Sequence, residues 1–96
     1  MSRLVRRYLV HGRVQGVGFR AFVVRNVEGR GTTGWVRNVG RTMVEALACG
    51  TAAELEALEV VLRTGPINAR VDRIETSDAS DAEAYDGFTI GRSLKE

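Results

Sequence analysis

Gly12-Arg13-Val14-Gln15-Gly16-Val17-Gly18-Phe19-Arg20 crowds three glycines ahead of an arginine. Glycine adopts positive φ without steric cost and brings backbone N–H groups close to a ligand. A loop of this kind running into a helix is a natural anion cradle, because several N–H groups and the helix dipole converge on one spot. Arg20 adds a planar, permanently charged fork suited to phosphate or carboxylate. A cation at a helix start opposes the dipole, so structure alone would prefer a carboxylate there. Its presence is easier to explain if it serves an anion. Asn38 is the second residue of interest, since its amide offers a donor and an acceptor that could hold a water beside such an anion. Asparagine before a turn also has an ordinary reading as a turn former.

Other chemistries find less support. The glycine spacing does not match the dinucleotide fingerprint, and no Gly-Lys-Ser/Thr follows, so neither a Rossmann site nor a P-loop is indicated. Cys49 is the single cysteine and His11 the single histidine. They provide no disulfide and no Cys/His cluster, and no metal site is expected. Cys49 reads as a strand residue, and so does His11. Arg37 and Arg41 are expected to be solvated, and Trp35 to pack in or near the core.

The elements that must position these residues follow from pattern. Residues 4–11, rich in β-branched and aromatic types, read as a strand. Residues 12–19 form the glycine loop, and 20–30 a weakly specified helix with Phe22, Val23 and Val27 apolar. Gly29 inside it should cost about 1 kcal/mol relative to alanine. Residues 34–38 and 43–49 read as strands of a hairpin turning at Gly40. Thr51 and Glu54 have capping-box spacing, followed by Leu55, Leu58 and Leu62 on one helical face. Gly65-Pro66 ends that helix. Residues 69–76 read as a strand, 77–84 as a loop, and 87–90 as a short closing strand. The order is a βαββαβ sandwich of the ferredoxin-like, α+β class, with two helices on one face of a mainly antiparallel sheet.

With 96 residues, 44% hydrophobic and 27% charged, the chain reads as one globular domain over residues 1–96. No apolar run is long enough to span a membrane. The basic N-terminus lacks the apolar core of a signal peptide, so the expected compartment is the cytoplasm. A formal charge of +2 does not require a nucleic-acid partner.

The glycine run through Arg20 resembles the first signature of the acylphosphatase family. Gly34-Trp35-Val36-Arg37-Asn38, with Val44 and Gly50 following, resembles the second. The step from Arg20 to Asn38 is similar too, as are Gly65-Pro66, Ala69-x-Val71-x-x-Ile74 and Phe88-x-Ile90. The resemblance runs from about residue 6 to residue 92. It implies hydrolysis of the carboxyl-phosphate bond of acylphosphates to carboxylate and inorganic phosphate. It implies that Arg20 holds the phosphate with loop N–H groups of Gln15, Gly16, Val17, Gly18 and Phe19. Asn38 would orient the attacking water, with no cofactor and no metal. The implied partner is a small-molecule acylphosphate; no nucleic acid and no membrane are expected, and the oligomeric state is open, with a monomer as the default. The family usually has glycine where Thr42 stands, so the turn is expected to shift to Gly40. Gly29 and Arg30 replace a better helix former and an apolar residue, and Cys49 stands where a polar residue is usual, as an exposed thiol.

Two rivals remain at this level. One is a non-catalytic module of the same fold that binds phosphate or carbamoyl phosphate. Retention of both Arg20 and Asn38 argues against it. The other is an RNA-binding ferredoxin-like domain, which would read bases with strand aromatics. With one Trp, two Tyr and three Phe, no aromatic-rich strand motif is found.

Overall fold

Alternation of buried and exposed side chains builds the sheet that carries the site. A computed structural model describes residues 3–80 and 85–95. Its elements are β1 (Leu4–Arg13), α1 (Phe19–Val27), β2 (Thr33–Val39), β3 (Met43–Gly50), α2 (Ala52–Thr64), β4 (Arg70–Asp78) and β5 (Phe88–Ile90). Sheet order is β4-β1-β3-β2-β5. β1 pairs antiparallel with β3 and β4, and β2 pairs antiparallel with β3. β5 joins β2 in parallel and forms one free edge. Each strand–helix–strand half thus brackets a strand of the other half, which is the interleaving of the ferredoxin-like α+β fold.

One core lies between the sheet and the helices. Tyr8 and Val10 of β1, Val36 of β2 and Val44, Ala46 and Ala48 of β3 meet Phe19, Val23 and Val27 of α1 and Leu55, Leu58 and Leu62 of α2. The apolar residues of α1 are spaced i, i+4, i+8, and those of α2 i, i+3, i+7, so each helix buries one stripe. Thr51 and Glu54 form the expected capping box, with Glu54 N–H donating to Thr51 Oγ1 at 3.2 Å and Thr51 N–H to Glu54 Oε1 at 2.8 Å.

Several boundaries move, each for a physical reason. Gly12 was expected in the anion loop but belongs to β1, beside a register shift against β4. A Cβ there would stand 2.1 Å from the Arg70 carbonyl oxygen, so its glycine serves strand approach rather than ligand approach. Helix α1 ends at Val27 rather than at residue 30. Gly29 lies beyond it at φ 79, so the interior-helix cost assigned to it does not arise. Strand β4 runs on through Asp78 into the segment expected as loop, while residues 81–84 of that segment lie outside the described residues.

The sheet face away from the helices carries a network that the sequence reading did not anticipate. Glu45 is only 2% exposed and sits between Arg7 of β1 and Arg37 of β2. Arg37 was expected to be solvated. It is instead partly buried, with Nη2 2.7 Å from Glu45 Oε1 and its guanidinium 4.5 Å above the Trp35 ring. This clamp joins the three central strands beneath Asn38. Cys49 is a strand residue as expected, but it is partly buried rather than exposed.

Candidate active site

Burial at both ends shapes the glycine loop. Val14 is 1% and Phe19 2% exposed, so the chain is pinned where it leaves β1 and where it enters α1. Between them Gly16 and Gly18 take φ of 71° and 77°. A Cβ at either position would meet nothing, so positive φ rather than lack of space demands glycine. Gly18 is the N-cap of α1 and has no side chain to cap it, and the first turn holds no acidic residue. Backbone N–H groups from Gln15 to Phe19 have no acceptor among the described residues. Such a helix start presents unpaired donors and a positive dipole end.

Arg20 follows at the first turn. Arg6, Arg20 and Arg37 are the partly buried arginines among the described residues. Arg6 faces Asp78 and Arg37 faces Glu45, whereas Arg20 forms no ion pair among the described residues. A partly buried guanidinium beside a helix N-terminus, without a counter-charge, is an arrangement completed by an anion.

Asn38 lies near the end of β2, opposite Val44 of β3. Its Oδ1 is the one buried side-chain nitrogen or oxygen without a hydrogen-bond partner among the described residues. Leaving a buried acceptor without a partner costs about 1–3 kcal/mol, so this oxygen is free to accept a hydrogen bond.

Asn38, Gln15, Gly16, Gly18, Phe19 and Arg20 line one pocket of about 150 Å³. The structure therefore brings together every expected site residue except Val17, whose side chain packs against the core. Gln15 takes an added part. Its Nε2 donates to the carbonyl oxygens of Met43, Gly40 and Val39 at 2.8, 3.2 and 3.3 Å, which ties the glycine loop to the β2–β3 turn. That turn spans residues 40–42, with Gly40 at φ 58, as its sequence shift indicated.

Val14, Ala21 and Ile90 also line the pocket. Ile90 was missed as a site residue, since only the pairing of β5 with β2 brings it there. Arg20 is the only titratable side chain among the lining residues. His11 is on the far side of the sheet, bonded through Nε2 to Glu75. Among the described residues no group of His, Cys, Asp and Glu could hold a metal ion.

The sequence profile of the acylphosphatase family matches residues 6–90. The chain belongs to the acylphosphatase family. It is 48% identical over 85 residues to an acylphosphatase of Koribacter versatilis, covering 88% of this chain and 77% of that one. A second relative, the acylphosphatase of Azorhizobium caulinodans, is 38% identical over 86 residues, with 90% and 92% of the two chains covered. The crystal structure of acylphosphatase from Bacillus subtilis superposes with a TM-score of 0.85 at 35% identity, over 92% of this chain and 98% of that one. As a member, the chain is an acylphosphatase-type hydrolase with the ferredoxin-like fold read from its sequence.

Proposed function

We propose that this chain hydrolyses acylphosphates to a carboxylate and inorganic phosphate, with Arg20 and Asn38 as its catalytic pair. The observation that carries the reading is the shared pocket: an unpaired guanidinium, a row of free N–H groups and a stranded amide oxygen around one small volume. The phosphoryl oxygens sit among the N–H groups of Gln15, Gly16, Val17, Gly18 and Phe19 and the Arg20 fork. These donors hold the charge that spreads over the equatorial oxygens in a loose transition state. Asn38 Oδ1 accepts a hydrogen bond from the attacking water and aims its lone pair at phosphorus.

The water oxygen bonds to phosphorus, the bond from phosphorus to the acyl oxygen breaks, and the carboxylate leaves with that electron pair. No carboxylate or imidazole lines the pocket, so the substrate phosphate takes the water's proton. A carboxylate is a good leaving group, and positioning with charge stabilisation suffices. In this reading the chain acts as a cytoplasmic monomer on a small molecule, with no nucleic acid and no membrane, through one acylphosphatase-like domain over residues 1–96. Light scattering and cell fractionation check the monomer and the compartment.

The test is hydrolysis of acetyl phosphate or benzoyl phosphate by wild type, Arg20→Gln and Asn38→Ala. Wild type turns the substrate over and both variants lose turnover. A folded but inactive wild type would defeat the proposal.

A further inference from the structure

The Arg20 pocket leaves half of an acylphosphate unplaced. Its volume of about 150 Å³ has room for a phosphoryl group and the attacking water. Nothing in that arrangement yet holds the acyl group.

Ile90 forms one wall of that pocket, and it is 49% exposed at the end of the edge strand β5. The same side chain lines a second cleft of about 430 Å³, together with Val24, Glu28, Asp86 and Phe88. Ile90 is therefore common to the walls of both hollows. Helix geometry adds a second link. Arg20 and Val24 are spaced i, i+4, so they lie on one stripe of α1, and Glu28 follows as the residue that caps the helix end. The stripe faces β5, against which α1 packs.

We propose that the cleft between α1 and β5 is the acyl subsite, and that it selects acylphosphates whose acyl group is apolar and carries no second negative charge. The inference rests on the acylphosphatase reading above. Val24 and Ile90 offer apolar contact along the cleft, with the buried Phe88 beneath them. Glu28 and Asp86 stand exposed at the cleft and form no ion pair among the described residues. An acyl group ending in carboxylate or phosphate would meet like charge there.

The test compares kcat/KM for acetyl, benzoyl and succinyl phosphate, read as ratios between variants so that intrinsic reactivity cancels. Ile90→Ala should lower the benzoyl-to-acetyl ratio about tenfold, the usual discrimination of a small apolar contact. The double variant Glu28→Gln, Asp86→Asn should raise the succinyl-to-acetyl ratio by about threefold or more, as expected for removing a like charge ~6 Å away in water. Both replaced carboxylates are exposed, so this arm stands even if Ile90→Ala fails to fold. Acetyl phosphate turnover with both ratios unchanged would overturn the subsite and leave the acylphosphatase reading intact. Failure of a folded wild type to hydrolyse any of the three would overturn both.

Discussion

Replacing Gln15 with methionine keeps the length of the side chain and removes its donors. Nε2 reaches the Met43, Gly40 and Val39 carbonyls at 2.8, 3.2 and 3.3 Å. An amide nitrogen has two hydrogens, so three acceptors share two protons and the Met43 bond is the strong one. At about 0.5–1.5 kcal/mol net per bond, Gln15→Met should cost about 1–3 kcal/mol of stability. The turn it releases begins two residues after Asn38, and a misplacement of about 1 Å can cost about a hundredfold in turnover. Arg20 and the loop N–H groups lie on the other side of the lost bonds. We therefore expect kcat to fall between about tenfold and a hundredfold, while competitive inhibition by inorganic phosphate changes by less than about threefold, under 0.7 kcal/mol. Urea unfolding followed by circular dichroism gives the stability, and acetyl phosphate hydrolysis gives the rest. Full kcat in a destabilised variant would mean that the turn is positioned without Gln15. Equal loss of kcat and phosphate affinity would place its side chain in the anion site itself.

Two further outcomes follow from the fold. Gly12→Ala would drive a Cβ to 2.1 Å from the Arg70 carbonyl oxygen at a φ of 139°, so it should destabilise by about 2–4 kcal/mol, readable as a lowered urea midpoint. A midpoint unchanged within error would show that β1 and β4 do not need that approach. Tyr8 is fully buried with its hydroxyl donating to the Leu55 carbonyl oxygen at 3.3 Å, and burial raises its pKa above the ordinary 10.0. The folded state then binds the phenolic proton more tightly than the unfolded chain does. Its contribution is complete below pH 10 and is lost as pH rises through the folded value. Unfolding free energy of wild type should fall above pH 10 more steeply than that of Tyr8→Phe, and parallel curves would contradict this.

Local signals in the sequence were sufficient for much of this molecule. The capping box of Thr51 and Glu54, the stripe of Leu55, Leu58 and Leu62, and the alternating strands each encode their own state, and together they admit few topologies. Arg20 was legible because it contradicts the helix dipole. What was not legible depends on partners distant in sequence. Gly12 looks like a loop glycine until β4 crosses it. Glu45 looks like a surface residue until Arg7 and Arg37 arrive from the flanking strands. Gln15 was assigned to the anion loop through its backbone N–H alone, and the hydrogen bonds of its side chain go to a turn encoded about 25 residues later. Ile90 enters the site only through the parallel pairing of β5 with β2.

The division of labour between Arg20 and Asn38 is tested most directly by measuring turnover and phosphate binding on the same proteins. Acetyl phosphate hydrolysis and calorimetric titration with inorganic phosphate would be run on wild type, Arg20→Gln and Asn38→Ala. Both variants should lose about a hundredfold or more in kcat. Phosphate binding should be lost in Arg20→Gln and kept in Asn38→Ala. Turnover that survives without Arg20, or phosphate binding that falls equally in both variants, would contradict the assignment.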